Sequence, residues 1–235
     1  MNATRFISAT LFFFHISIIC FSQQSAHFVS ASISNNGQLN DITSDFYYDD
    51  FSGAHSIQHS HVLNATKFNL HYEYLTSKPI SFSLKIGYCK RQDSFSDLTP
   101  NYYEINVEQT YFSSLLGSRY LLSSNKFQFS SGLELAYFYV SSYDESSHSS
   151  AANSYSYITD GGNAFGINSV TSLKLFLSNK IFLISEMAFG FLSYDLGGNS
   201  NYTDLNTGES QITIHRIKLT TVSKPELYLG IGLKL

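Results

Sequence analysis

The stretch Phe127–Tyr139, FQFSSGLELAYFY, decides the fold. Its odd positions are Phe127, Phe129, Ser131, Leu133, Leu135, Tyr137 and Tyr139. The even positions are Gln128, Ser130, Gly132, Glu134, Ala136 and Phe138. A period of two sends alternate side chains to opposite faces of a strand. One face is long and apolar; the other is small or polar. The pattern recurs at Phe68, Leu70, Tyr72 and Tyr74, against Asn69, His71 and Glu73. It recurs at Ile80, Phe82, Leu84, Ile86 and Tyr88, against Ser81, Ser83, Lys85, Gly87 and Cys89. Residues 181–194 repeat it, and so does the final run, with Leu227, Leu229, Ile231, Leu233 and Leu235 against Glu226, Tyr228, Gly230, Gly232 and Lys234.

The second face identifies the solvent of the first. A soluble sandwich or lipocalin-like barrel turns its large apolar residues inward and shows Lys, Glu and Thr to water. Here the second face is Gly, Ser and Ala around isolated charges. Small residues suit a narrow lumen. Glu73, Glu134, Glu186 and Glu226 can pair across it with Lys85, Lys174 and Lys234. Apolar-out and polar-in is the rule for barrels in lipid. The expected fold is all-β, an antiparallel up-and-down transmembrane β-barrel of eight to ten strands, eight being the best single number. A soluble β-protein is the alternative.

Short Lys-bearing connections separate the strands: Ser77-Lys78-Pro79, Ser123–Lys126, Ser178-Asn179-Lys180 and Ser223-Lys224-Pro225. Longer polar segments, about 92–103, 142–163 and 196–210, read as loops at the opposite rim. The hairpins predict strands at about 66–76, 80–91, 104–122, 126–141, 164–177, 180–195, 211–222 and 225–235. With every short turn on one side, both ends of this set emerge on the other side, whereas bacterial barrels keep both termini with the short turns. A further strand at 26–34 mends the N-terminal end, raises the count to nine and leaves the C-terminal end unmended. The alternation also slips near His215 and Arg216, which predicts a bulge there.

A chain of 235 residues suits one all-β domain. Only 14% of residues are charged, and aromatics reach 16% as 20 Phe and 17 Tyr with no Trp. Mean hydropathy is -0.07; alternating strands average apolar and polar residues, so a barrel hides from hydropathy scans. A net charge of -4 carries no basic excess and predicts no nucleic-acid partner.

Residues 1–22, MNATRFISATLFFFHISIICFS, read as a secretory signal peptide, with Arg5 before a short apolar core and cleavage between Ser22 and Gln23. A lipoprotein signal using Cys20 is the alternative, but Ile19 stands where a small residue is expected. Removal of Cys20 leaves Cys89 alone, so the remaining chain has no internal disulfide. The expected organisation is signal peptide 1–22, a segment 23–65 with a candidate first strand and loop, and the barrel over 66–235.

The end of the signal peptide at FSQ, the repeated Lys-bearing turns and the last strand ELYLGIGLKL together resemble a small outer-membrane β-barrel protein of the Bacteroidetes type, a grouping with porin-like and OmpA-like members. The resemblance implies a bacterial outer-membrane location, lipid as the surrounding partner, and recognition of the C-terminal strand by the barrel-assembly machinery. The departure is the terminal Leu235, where many such strands close with Phe.

Candidate chemistry is sparse. His55, His59 and His61 in GAHSIQHSH could hold Zn²⁺ or Cu²⁺, or be solvated loop residues. The acidic-aromatic run DITSDFYYDDFSG, 41–53, offers Asp45, Asp49 and Asp50 without EF-hand spacing. Neither G-x-S-x-G nor H-E-x-x-H occurs, and His148 meets serines only by composition. The expectation is no enzyme and no cofactor: a small closed barrel with a structural or surface-interaction role through external loops, its outside ligand unspecified. The alternatives are a narrow porin or conduit for small or hydrophobic solutes, a surface enzyme, and a soluble lipocalin-like binding protein.

Overall fold

A computed structural model describes residues 26–35, 37–39, 66–97, 103–124, 126–149 and 154–235. The strands are β1 (Ala26–Ser34), β2 (Lys67–Leu75), β3 (Ile80–Asp97), β4 (Tyr103–Ser123), β5 (Phe127–Val140), β6 (Tyr143–Ser149), β7 (Tyr155–Thr159), β8 (Gly162–Phe176), β9 (Ile181–Asp204), β10 (Ser210–Val222) and β11 (Glu226–Lys234). All pairings are antiparallel. β1, β2, β3, β4, β5, β8, β9 and β11 pair in that order, and β11 returns to β1, closing a ring of eight.

The remaining three segments prolong strands of the ring. β4 pairs with β5 as far as Tyr111 and with β6 from Glu108. β9 pairs with β8 as far as Leu196 and with β7 from Ser200. It also pairs with β11 over Ile181–Ala188 and with β10 over Phe191–Thr203. β10 and β11 are therefore one wall strand with a break at 223–225.

That break corrects the fourth expected turn. Residues 223–225 lie opposite only Phe189 and Gly190, so one extra residue is accommodated as a bulge. Ser223 N–H donates to Gly190 O at 2.7 Å, and Ser223 Oγ accepts Gly190 N–H at 3.0 Å. Pro225, which has no N–H to offer a ladder, fits a bulge. The chain does not reverse here. The expected strands 211–222 and 225–235 merge, β1 supplies the eighth, and the parity conflict disappears. Ala26 pairs with Leu75 beside the first short turn, and Lys234 N–H donates to Lys180 O at the third. Nor is there a bulge at His215–Arg216: the register with β9 is unbroken from Ser210 to Val222.

The register fixes the barrel's shape. From Ile33, successive partners are Phe68, Tyr88, Phe112, Tyr139, Asn163, Asp195 and Lys218. Directly across the seam Ile33 meets Leu229. The walk returns eleven positions away on the same wall strand, one of them the bulge's extra residue, which gives a shear of ten. Eight strands staggered this way tilt strongly and enclose a lumen that side chains can fill.

The two faces match the alternation. Phe68 and Leu70 are 64% and 66% exposed on the outer surface, and Ile86, Leu116, Leu133, Ile167, Phe191 and Leu229 share that band. The band girdles the ring, and so large a continuous apolar surface is stable against lipid, not water. Inward residues are small where the lumen is tightest. A Cβ on Gly87 would lie 2.4 Å from Ser113 Oγ, and one on Gly117 would lie 2.6 Å from Glu134 Cγ.

Three expected loops are shorter than predicted. β3 runs to Asp97 and β4 begins at Tyr103; β6 and β7 occupy most of 142–163; β9 continues to Asp204 and β10 begins at Ser210. These stretches lie beyond the apolar band, where outward residues need no grease. Alternation fades there although the backbone pairing continues.

Candidate functional site: the lumen and the strands beyond the band

The lumen is built in layers. Nearest the short turns, Phe28, Phe182 and Ile184 pack together, with Phe176 against them. Lys174 Nζ lies 4.3 Å from the centre of the Phe28 ring and bonds Glu73 Oε2. Above it, Arg119 joins two carboxylates, donating to Glu134 Oε1 at 2.5 Å and Glu186 Oε2 at 2.7 Å. Lys85 bonds Glu186, stands 3.6 Å from Glu134 and lies over the Tyr228 ring at 4.0 Å. Higher again, Lys67 meets Glu226 at 2.5 Å, and Ser34 Oγ donates to the same carboxylate at 2.6 Å. These four cations and four carboxylates are all buried. Every one has an opposite charge in reach, as burial requires.

The upper lumen is closed differently. After β1 the chain turns inward, making a helical turn at 37–39. Gln38 donates to Asn168 Oδ1 at 2.9 Å and to Ser223 Oγ at 3.2 Å, and Tyr194 Oη donates to Gln38 O at 2.8 Å. Leu39 then packs with Cys89, Tyr111, Leu115, Phe138, Tyr143 and Tyr194 as an apolar and aromatic stopper.

The sequence-predicted charges divide accordingly. Glu73, Lys85, Glu134, Lys174, Glu186 and Glu226 come together in the lumen. Lys234 does not join them: it is exposed on the last rung of β11. Its alternation is right, but the strand ends there and the side chain stands at the rim. Arg119, Lys67 and the buried Arg91 are not among the predicted charges. All three follow from the period: Arg119 shares parity with Ser113 and Gly117, Lys67 with Asn69 and Glu73, and Arg91 with Lys85 and Cys89. His55, His59 and His61 lie outside the described residues, as does the run 41–53. Among the described residues no His, Cys, Asp and Glu group could hold a metal, and no helix is long and apolar enough to cross a membrane.

Beyond the apolar band the outer face turns polar. Lys90 pairs with Glu108 at 2.9 Å. Arg216 donates twice to Asp195, both at 2.7 Å, and Lys218 stands 3.5 Å from the same carboxylate. The Arg216 hydrogen bonds hold the Asp195 carboxyl below its ordinary value. On the inner face, Glu145 accepts hydrogen bonds from Tyr143 at 2.6 Å and Tyr155 at 2.7 Å, and Tyr155 stacks on Tyr202.

No protein-family model and no curated protein matches this sequence. Solved structures do match in fold. A major outer membrane protein from Thermus thermophilus aligns with a TM-score of 0.50 at 10% identity, covering 91% of this chain and 100% of the other. The outer membrane protease OmpT from Escherichia coli aligns at 0.46 and 15% identity, covering 72% of this chain and 63% of that one. The attachment invasion locus protein Ail of Yersinia pestis aligns at 0.41 and 11% identity, covering 90% and 97%. The chain thus has the eight-stranded antiparallel fold of outer-membrane β-barrels.

Proposed function

We propose that this chain is a bacterial outer-membrane protein whose barrel is closed, and whose work is structural or surface interaction through the strands that rise beyond the membrane. The observation that carries this reading is the filled lumen. An apolar floor, a fully paired charge cluster and an aromatic stopper succeed one another along it. Charges paired this closely serve stability better than conduction, because a passing ion would have to displace a buried partner. The protein is proposed to act without catalysis and without a cofactor. Export by residues 1–22 and insertion through the C-terminal strand ELYLGIGLKL belong to the same reading, on the sequence features that resemble the Bacteroidetes type.

Single-channel recording in a planar bilayer tests it. The closed barrel predicts no steady current across the membrane. Steady ion-sized currents from folded protein would establish a narrow pore instead.

A further inference from the structure

β10, like β3 beyond Tyr88, has a neighbouring strand on one side only among the described residues. That neighbour is β9. β1 ends at Ser34, opposite Tyr228 of β11, so it does not reach β10. Every described side chain of β10 is exposed or half-exposed, and Ile212 and Ile214 are 70% and 83% exposed. Both lie beyond Lys218 and Arg216, on the side away from the apolar band, where the solvent is water. Long edge strands exposed to water are ordinarily blunted, because their free N–H and C=O groups template pairing.

The orientation of those groups follows from two hydrogen bonds. Ser223 N–H donates to Gly190 O just past one end of β10, and Asp204 N–H donates to Glu209 O just past the other. The pairing between is unbroken. Odd-numbered residues therefore bond β9, and the even-numbered ones aim N–H and C=O at the free edge. The even side chains are Ile212, Ile214, Arg216, Lys218, Thr220 and Val222, with no acidic residue anywhere in the strand. Asp195 on β9 neutralises one of the two cations and leaves an excess positive charge.

We propose that this edge receives an extended segment of another protein, one that carries on a single face acidic side chains opposite Arg216 and Lys218 and apolar side chains opposite Ile212 and Ile214, and adds to the sheet as a further strand. Backbone bonds to the even positions supply affinity. Lys218 and Arg216 select acidic side chains, and Ile212 and Ile214 select apolar ones. A second copy of this chain fits worse, because pairing β10 with itself sets like cations opposite each other. The inference rests on the surface-interaction reading above and names its partner.

The test uses the full chain folded in lipid nanodiscs and short fluorescent peptides. One carries two Glu and then two Val at successive alternate positions with Ser between them, so that all four share one face; a second is identical but N-methylated at alternate amides; a third has Lys in place of each Glu. The Glu–Val peptide should bind about tenfold or more tightly than either control. Ile214→Pro removes an edge N–H without touching the β9 ladder and should abolish binding. Lys218→Glu should transfer the preference to the Lys–Val peptide, which keeps the idea testable where the proline variant misfolds. Equal binding of the methylated peptide, or unchanged binding by both variants, would overturn the proposal. So would peptide binding seen only after deletion of residues 40–65, which would make this chain's own segment the occupant, or self-association lost in Ile214→Pro, which would make a second copy the partner. None of these outcomes alters the conductance result, so the closed-barrel reading stands or fails separately.

Discussion

The charge cluster of the lumen and the strand β10 share one alternating grammar and live by opposite rules. In the lumen, Arg119, Lys85 and their carboxylates are buried and each polar head has a charged partner. On β10 the same kinds of side chain stand in water, and Arg216 and Lys218 share a single exposed carboxylate. Alternation alone therefore carries no fixed energetic meaning. The medium on each side decides whether a charge is a structural necessity or a surface decoration.

The sharpest break of this contrast is Arg119→Ala. It strands Glu134 and Glu186 in a buried lumen with only Lys85 nearby. Breaking a buried pair from one side costs about 3–5 kcal/mol. Urea unfolding of the barrel in vesicles, followed by loss of heat-modifiable migration, should register that loss. A matched pair of outward substitutions comes next. Leu229→Arg in the apolar band should cost about 2–4 kcal/mol, as a cation facing hydrocarbon does. Ile212→Arg on β10 should leave stability unchanged, since its side chain already stands in water. Similar costs at both sites would mean that the band does not face lipid.

Much of this contrast was legible in the sequence. Alternation with Gly, Ser and Ala on the second face separated a membrane barrel from a soluble one, and six of the nine charged residues buried in the lumen are among those it singled out. Arg119 was overlooked because its neighbours Leu121 and Leu115 make the inward face of β4 look greasy. The bulge was misread as a turn because Ser-Lys-Pro carries turn chemistry whether or not the chain reverses. What separates the two is an opposing strand long enough to pair on both sides of the break, and β9, with 24 residues, is that strand. The strands beyond the band were read as loops because Ser- and Asn-rich segments carry no apolar period, and their pairing is a property of the neighbouring backbone.

The smallest effect belongs to Asp195→Asn. The carboxyl is held low by the hydrogen bonds from Arg216, so its contribution exists above the ordinary carboxylate range and fades as pH falls through its depressed value. Being solvent-exposed and screened, the pair should shift thermal stability barely detectably at neutral pH. The variant and the parent should then melt identically in strong acid. A difference that grows on acidification would reverse the sign and contradict the assignment.

Cys89 offers the most direct view of the closed lumen. It points inward from β3 and is fully buried within the apolar and aromatic stopper, beside Tyr111 and Leu115. In protein folded into bilayers, with Cys20 replaced by Ser, a charged water-soluble thiol reagent should leave Cys89 unmodified, and should label it fully once the barrel is unfolded. Labelling of the folded barrel at the rate of a free thiol would show water passing through the lumen, and the account of a closed barrel would be wrong.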